Sequence, residues 1–295
     1  MFLFIYNHHY SNIRGMKLSK NTQRNALIAL GSLFFINLAW WLLIPVIWPG
    51  TEKGTGVYLY FAATYGLVTI VGGVAGLIAS RHWGGLKSYL GKALFFLSLG
   101  LLLTEFGQLA FSYFTTFRDV ELPYPSIADI GFFGAIPMYV LGSFYLLKTL
   151  NIKSVIKNAG TLKLIGLLLI PIALMVITYL VNFKEYLAED QGSLVIFLDF
   201  ADPIGHLIYL SFTLLALTRA QSLMGGMLRK GLIIILIGFL AQYLADMNFL
   251  YQELNETWVN GGYGDALYLL AYSIMALGLI SFCSAHLLPK TEGAE

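Results

Sequence analysis

The sequence predicts an all-α integral membrane protein whose eight transmembrane helices form two parallel four-helix repeats. Three observations predict it. The 295 residues are 58% hydrophobic and only 12% charged, with a mean hydropathy of +0.73, where an ordinary soluble domain carries about 25% charged residues. Apolar stretches recur along the chain, each long enough to cross about 30 Å of hydrocarbon at about 1.5 Å per residue. Lysine and arginine fall in alternate connections between those stretches.

Residues 1–24 are expected to be a cytoplasmic tail. Met1 to Gly15 is polar and aromatic and lacks the charge, apolar core and cleavage order of a signal peptide. His8 and His9 read as part of a disordered tail rather than as a ligand pair, and Met16 opens a second plausible start. The spans follow at 25–48, 57–80, 91–114, 127–148, 162–182, 193–217, 231–251 and 265–287. The first repeat takes 25–150, the second 162–288, and 289–295 is a second cytoplasmic tail. The connections are short and hold no independent domain. Pro45, Pro137 and Pro171 read as kinks, which transmembrane helices tolerate. The aromatic content, with 21 Phe, 18 Tyr and 5 Trp, suits interfacial belts.

Orientation follows from charge. With the N-terminus cytoplasmic, the inner segments hold Arg14, Lys17, Lys20, Arg24, Arg81, Lys87, Lys92, Lys148, Lys153, Lys157, Lys163, Arg219, Arg229, Lys230 and Lys290, against Lys53, Arg118 and Lys184 outside. Of the acids, only Glu292 and Glu295 fall inside. Both termini are therefore expected to be cytoplasmic in the plasma membrane. The net charge of +2 is segregated by side rather than gathered in a patch, and gives no reason to expect nucleic acid as a partner. The single cysteine, Cys283, excludes an intrachain disulfide and reads as a small core residue. Asn255-Glu-Thr257 fits a glycosylation sequon, meaningful only in a secretory-pathway host.

The internal repeat emerges when the third and seventh spans are laid side by side. Gly84-Gly85 matches Gly225-Gly226, Leu99-Gly100 matches Ile237-Gly238, Gln108 matches Asp246, and Asp129 matches Asp265. Carried backwards, the alignment sets Tyr58, Phe61 and Tyr65 against Asp199, Asp202 and His206. Four spans per unit is an even number, so both halves insert the same way round.

The candidate functional residues are ionisable or amide side chains inside these spans. Asp199, Asp202 and His206 lie at i, i+3 and i+7 of the sixth span, on one helical face about 60° wide. Pro203 between them deprives the Asp199 carbonyl of its usual donor. Counting along the helices puts Glu105, Gln108, His206 and Gln242 near mid-membrane, with Asp202, Asp199 and Asp246 in the outer half. A charge at a helix centre costs about 2.5–3.5 kcal/mol on insertion scales. Ligand-binding roles are therefore assigned to Asp199, Asp202, His206, Asp246, Glu105, Gln108 and Gln242 around one outward pocket. Asp199, Asp202 and His206 are the metal-ligand candidates. One histidine with carboxylates suits a hard or borderline cation, and no other cofactor is indicated. Asp129, closing Ser126-Ile-Ala-Asp129, and Asp265 read as helix caps in preference to ligands.

Pro125-Ser-Ile-Ala-Asp129, Ala245-Asp246 and Gly264-Asp265-Ala-Leu-Tyr-Leu-Leu-Ala-Tyr272 resemble the polytopic membrane domains that precede many bacterial GGDEF diguanylate cyclases and some histidine kinases. The resemblance covers nearly the whole chain through short motifs. Those domains usually show Gly-Asp where this chain has Gly107-Gln108, and an aspartate within a Tyr-Pro segment where this chain has His206 after Asp202-Pro203. The resemblance implies a membrane sensory module, here without an output domain of its own. The expected function is a stand-alone sensory or ligand-binding subunit that takes a cation, proton or small polar solute and passes a helix shift to a separate signalling or membrane protein. Besides that protein, its partner is the lipid bilayer. An ion- or proton-coupled transporter or channel subunit is the alternative. An intramembrane metal-dependent enzyme ranks last, because no HExxH or comparable hydrolase spacing is present.

Overall fold

An apolar chain in lipid must satisfy its backbone hydrogen bonds internally, which favours helices. Helices are the only regular structure among the described residues of this computed structural model, which are 20–118, 120, 122–150, 161–184, 192–217 and 227–283. They are α1 (Lys20–Ile47), α2 (Val57–His82), α3 (Tyr89–Phe117), α4 (Ile127–Thr149), α5 (Thr161–Thr178), α6 (Ser193–Leu217), α7 (Met227–Leu254) and α8 (Tyr263–Ser281). Among the described residues seven helices are long and apolar enough to cross a membrane; the apolar stretch Leu169–Phe183 of α5 and its terminal turn is shorter. The last helix stops at Ser281, short of the expected 287, with Phe282 and Cys283 in a turn. The tail bearing His8, His9 and Met16, the connection 151–160, Gly225-Gly226 and the tail 289–295 lie outside the described residues.

Two side-chain contacts fix which helix ends share a level. Gln23 at the start of α1 reaches the Ile280 carbonyl (3.4 Å), and the Trp83 indole beyond α2 donates to the Phe282 carbonyl (3.0 Å). The first and last described helices therefore meet at one end, here the basal end. Lys148 sits there beside a cluster of rings, its Nζ 4.6 Å from the Phe144 centroid and 5.6 Å from that of Tyr145, an arrangement expected of an interfacial belt. At the opposite end, the mouth, lie the α3–α4 and α7–α8 connections.

Small residues set the closest helix crossings, as is usual where helices pack without a hydrophobic driving force. The α3–α4 pair is the most extensive. At its crossing a Cβ on Gly131 would stand 2.4 Å from the Gly107 nitrogen. Two further crossings join the first half of the chain to the second. Gly72 on α2 lies against Ala276 on α8, and Gly205 on α6 lies against Ile136 on α4, where a Cβ would meet Ile136 at 2.2 Å. Large apolar side chains such as Phe35, Val46 and Phe197 face outwards at 65–71% exposure, as a lipid-facing surface requires.

Two irregularities bear on the interior. α2 narrows to a 3-10 turn at Tyr65–Leu67, and the Ala62 carbonyl at that break accepts from Gln108 Nε2 (2.9 Å). α6 carries Pro203 within its helical run. The mouth ends of α3 and α5 finish in π turns at Tyr113–Phe117 and Tyr179–Phe183, a geometry frequent near functional sites.

Candidate functional site

A cavity of about 590 Å³ lies between the helices in the mouth half of the bundle. Its walls run from the Tyr124 and Trp258 connections down to Thr104, Tyr139, Tyr209 and Tyr272, about the middle of the bundle. The volume falls in the range of about 300–1,000 Å³ typical of small-molecule sites.

At the base, α6 supplies a histidine clamped between two acids. His206 Nδ1 lies 3.0 Å from the Asp202 carbonyl and 3.5 Å from Asp202 Oδ2. The carbonyl can only accept, so Nδ1 carries hydrogen. Nε2 stands 3.0 Å from Asp246 Oδ2 on α7, within ion-pair distance although its N–H is not aimed along that line. His206 is 3% exposed, whereas the Asp202 side chain is 28% exposed and turns towards the open space. The close approach at Gly205 presses this part of α6 onto α4 and so brings the acid–imidazole pair to the cavity wall.

Asp246 is the most heavily tied of the acids. Its Oδ1 accepts from the Tyr268 hydroxyl (2.7 Å) and its Oδ2 from Gln242 Nε2 (3.0 Å). Tyr268 in turn stacks with Tyr65 of α2, at a centroid distance of 6.4 Å and an interplanar angle of 16°. The Tyr65 hydroxyl donates to Gln108 Oε1 (2.9 Å). Ring contacts thus bridge the two halves of the chain beside the acid.

The expected residues divide on this geometry. Asp202, His206 and Asp246 present ligand atoms all within 4.8 Å of one another, and Gln242 and Gln108 join them on the cavity wall. The three-residue set that could hold a metal thus takes Asp246 in place of Asp199. Asp199 stands nearer the mouth, where it accepts from the Tyr124 hydroxyl (2.9 Å). Partial burial, reinforced by that bond, holds the Tyr124 phenol well above its ordinary value, so it remains a donor. Glu105 lies behind the wall: it is 3% exposed, its Oε2 accepts from Thr69 (3.0 Å) and packs over Gly66, and Oε1 has no partner.

Asp129 caps its helix as expected, Asp265 instead holds an N–H ahead of the N-cap residue Gly262, and both line the cavity. Ser126 and Asp129 form a capping box, with Ser126 N donating to Asp129 Oδ2 (2.5 Å). Asp265 accepts from the Gly261 nitrogen (2.6 Å). The residues that sequence reasoning missed are the tyrosines of the wall. The signal was present: Tyr139, Tyr209 and Tyr272 lie inside spans rather than at their ends, and a buried phenol needs a partner. Tyr139 finds the Thr104 hydroxyl at 3.0 Å.

Comparison of the chain with protein-family models, with curated proteins and with solved structures finds no match in any of the three.

Proposed function

We propose that the chain is a membrane-embedded sensory subunit that binds a small solute in the acidic cavity and relays the event to a partner polypeptide at the basal end. The observation that carries this reading is the buried imidazole between Asp202 and Asp246 at the base of a cavity that runs from the mouth to about the middle of the bundle. Ionisable groups are costly inside a bilayer and concentrate where they serve a binding or transfer role. The resemblance to membrane domains of cyclases and kinases points to sensing. In this reading the basal end faces the cytoplasm, consistent with its excess of Lys and Arg, and the mouth opens outside.

In the same proposal, α5 with its π turn is the eighth crossing and the helices form two four-helix repeats. Several contacts support this. The alignment that sets Tyr65 against His206 and Gln108 against Asp246 pairs two observed contacts, the Tyr65–Gln108 hydrogen bond (2.9 Å) and the His206–Asp246 ion-pair contact (3.0 Å). It also pairs two acids that each hold a backbone N–H ahead of their own helix, Asp129 and Asp265. The α2–α8 and α6–α4 crossings are equivalent under the same exchange.

A transporter needs a polar passage through the basal half as well. There the buried hydroxyls of Ser98, Ser143 and Thr213 return to the carbonyl four residues earlier in their own helices, which favours sensing. The test is sidedness. A cysteine replacing Ala135 on the cavity wall should react with a membrane-impermeant thiol reagent from the mouth face of oriented vesicles only. Reaction from both faces would establish transport, and reaction from neither would remove the binding reading.

A further inference from the structure

The cavity carries a chemical bias beyond its acidity. Among the described residues six carboxyl groups line it (Asp129, Asp199, Asp202, Asp246, Glu253 and Asp265), with one histidine and neither lysine nor arginine. It is also short of donors. Asn182, 4% exposed on the cavity wall, has no hydrogen-bond partner for its Oδ1. Gln242 commits its amide hydrogens to Asp246, and its Oε1 is likewise unpartnered. Of the phenols on the wall, four are engaged: Tyr124 with Asp199, Tyr268 with Asp246, Tyr65 with Gln108 and Tyr139 with Thr104. What the cavity lacks is a positively charged hydrogen-bond donor.

Size and walls narrow the class. A single ion or water fills about 30 Å³, a small part of the 590 Å³ present. A bare metal ion held by Asp202, His206 and Asp246 would leave the aromatic walls and the Asn182 carbonyl without a role. Tyr268, Tyr272 and Trp258 present rings on the same walls, and ring faces attract ammonium groups within about 6 Å, most strongly where water is excluded.

We infer that the cavity takes an organic cation, an amine or quaternary ammonium compound whose charge sits by Asp202 and whose carbon frame packs on the tyrosine and tryptophan walls. This rests on the cavity being a binding site. Asp202 is the natural seat because it is the more open acid of the clamp.

The test uses the full chain in lipid nanodiscs with cysteine at Ala135 or, should that variant not fold, at Val195; both positions line the cavity. Three methanethiosulfonates are compared, carrying an ethyltrimethylammonium, an ethylsulfonate or a methyl group, with rates normalised to a free thiol in solution. The cationic reagent should exceed the anionic one by about tenfold or more, the local enrichment expected in a cleft of one charge sign. Asp202→Asn should lower that ratio at least threefold. Choline should protect the cysteine from the methyl reagent, while 3,3-dimethylbutan-1-ol, its uncharged isostere, should not. Equal normalised rates for the two charged reagents, equal protection by alcohol and choline, or protection by Zn²⁺ alone overturns the organic-cation assignment while leaving the cavity a binding site. If the methyl reagent reaches neither cysteine, the binding reading falls and the inference falls with it.

Discussion

The clamp on His206 makes a quantitative demand on stability. At the observed 3.0 Å between Nε2 and Asp246 Oδ2, opposite unit charges at an effective dielectric of ~20 attract by about 5 kcal/mol. Desolvation offsets part of this, but removing one member of a buried pair still costs about 3–5 kcal/mol, because the other charge is left uncompensated. Asp246→Asn keeps an acceptor for Tyr268, so its expected cost is at the lower end, about 3 kcal/mol. His206→Gln should cost a similar amount. The double variant leaves only the part-exposed Asp202 without its imidazole and should fall short of additivity by about 2 kcal/mol. The assay is equilibrium unfolding of all four proteins in one detergent, repeated with EDTA to separate an ion pair from a metal-bridged one. Additivity within about 0.5 kcal/mol would falsify the clamp as an energetic unit.

Three further outcomes follow from the packing. Gly131→Ala should cost well over 1 kcal/mol, or prevent assembly, because its Cβ would meet the α3 backbone at 2.4 Å, while Gly134→Ala, whose nearest contact is 3.7 Å, should unfold like the parent. Gln108→Leu strands the Ala62 carbonyl and the Tyr65 hydroxyl; thermal unfolding should show a loss of about 2–4 kcal/mol, partly recovered when Tyr65→Phe is added. Cys283 is 1% exposed with its thiol directed at the Ala75 carbonyl, so maleimide should label it only after unfolding; rapid labelling of the native protein would place it elsewhere.

Much of this arrangement was legible because composition and spacing are sensitive to lipid. Helix positions followed from apolar length, and the Ser126–Asp129 capping box from a local motif. The Asp202–His206 contact was legible because it spans one helical turn. Contacts between distant segments were not. Asp199 shares a helical face with Asp202, yet its partner Tyr124 lies 75 residues away, and no local pattern marks that pair. Depth alone placed Glu105 with the other acids. What separates it is azimuth: Gly66 opens a slot on α2 into which its carboxylate turns, away from the cavity. The Asp246 clamp needed the α6–α7 packing, which periodicity does not encode. The end of α8 was overextended because Phe282 and Cys283 continue the apolar run that leads into the turn.

The stack of Tyr65 on Tyr268 has a mechanical side. The two rings lie nearly parallel and offset on the cavity wall, so a tilt of one shifts the surface on which the other rests. In the proposed sensing role, a guest that drew the Tyr268 hydroxyl off Asp246 would press on Tyr65, and through its bond to Gln108 on the 3-10 turn of α2. The second half of the chain supplies Asp202, His206 and Asp246, and the first half supplies Gln108 and the 3-10 turn beside it.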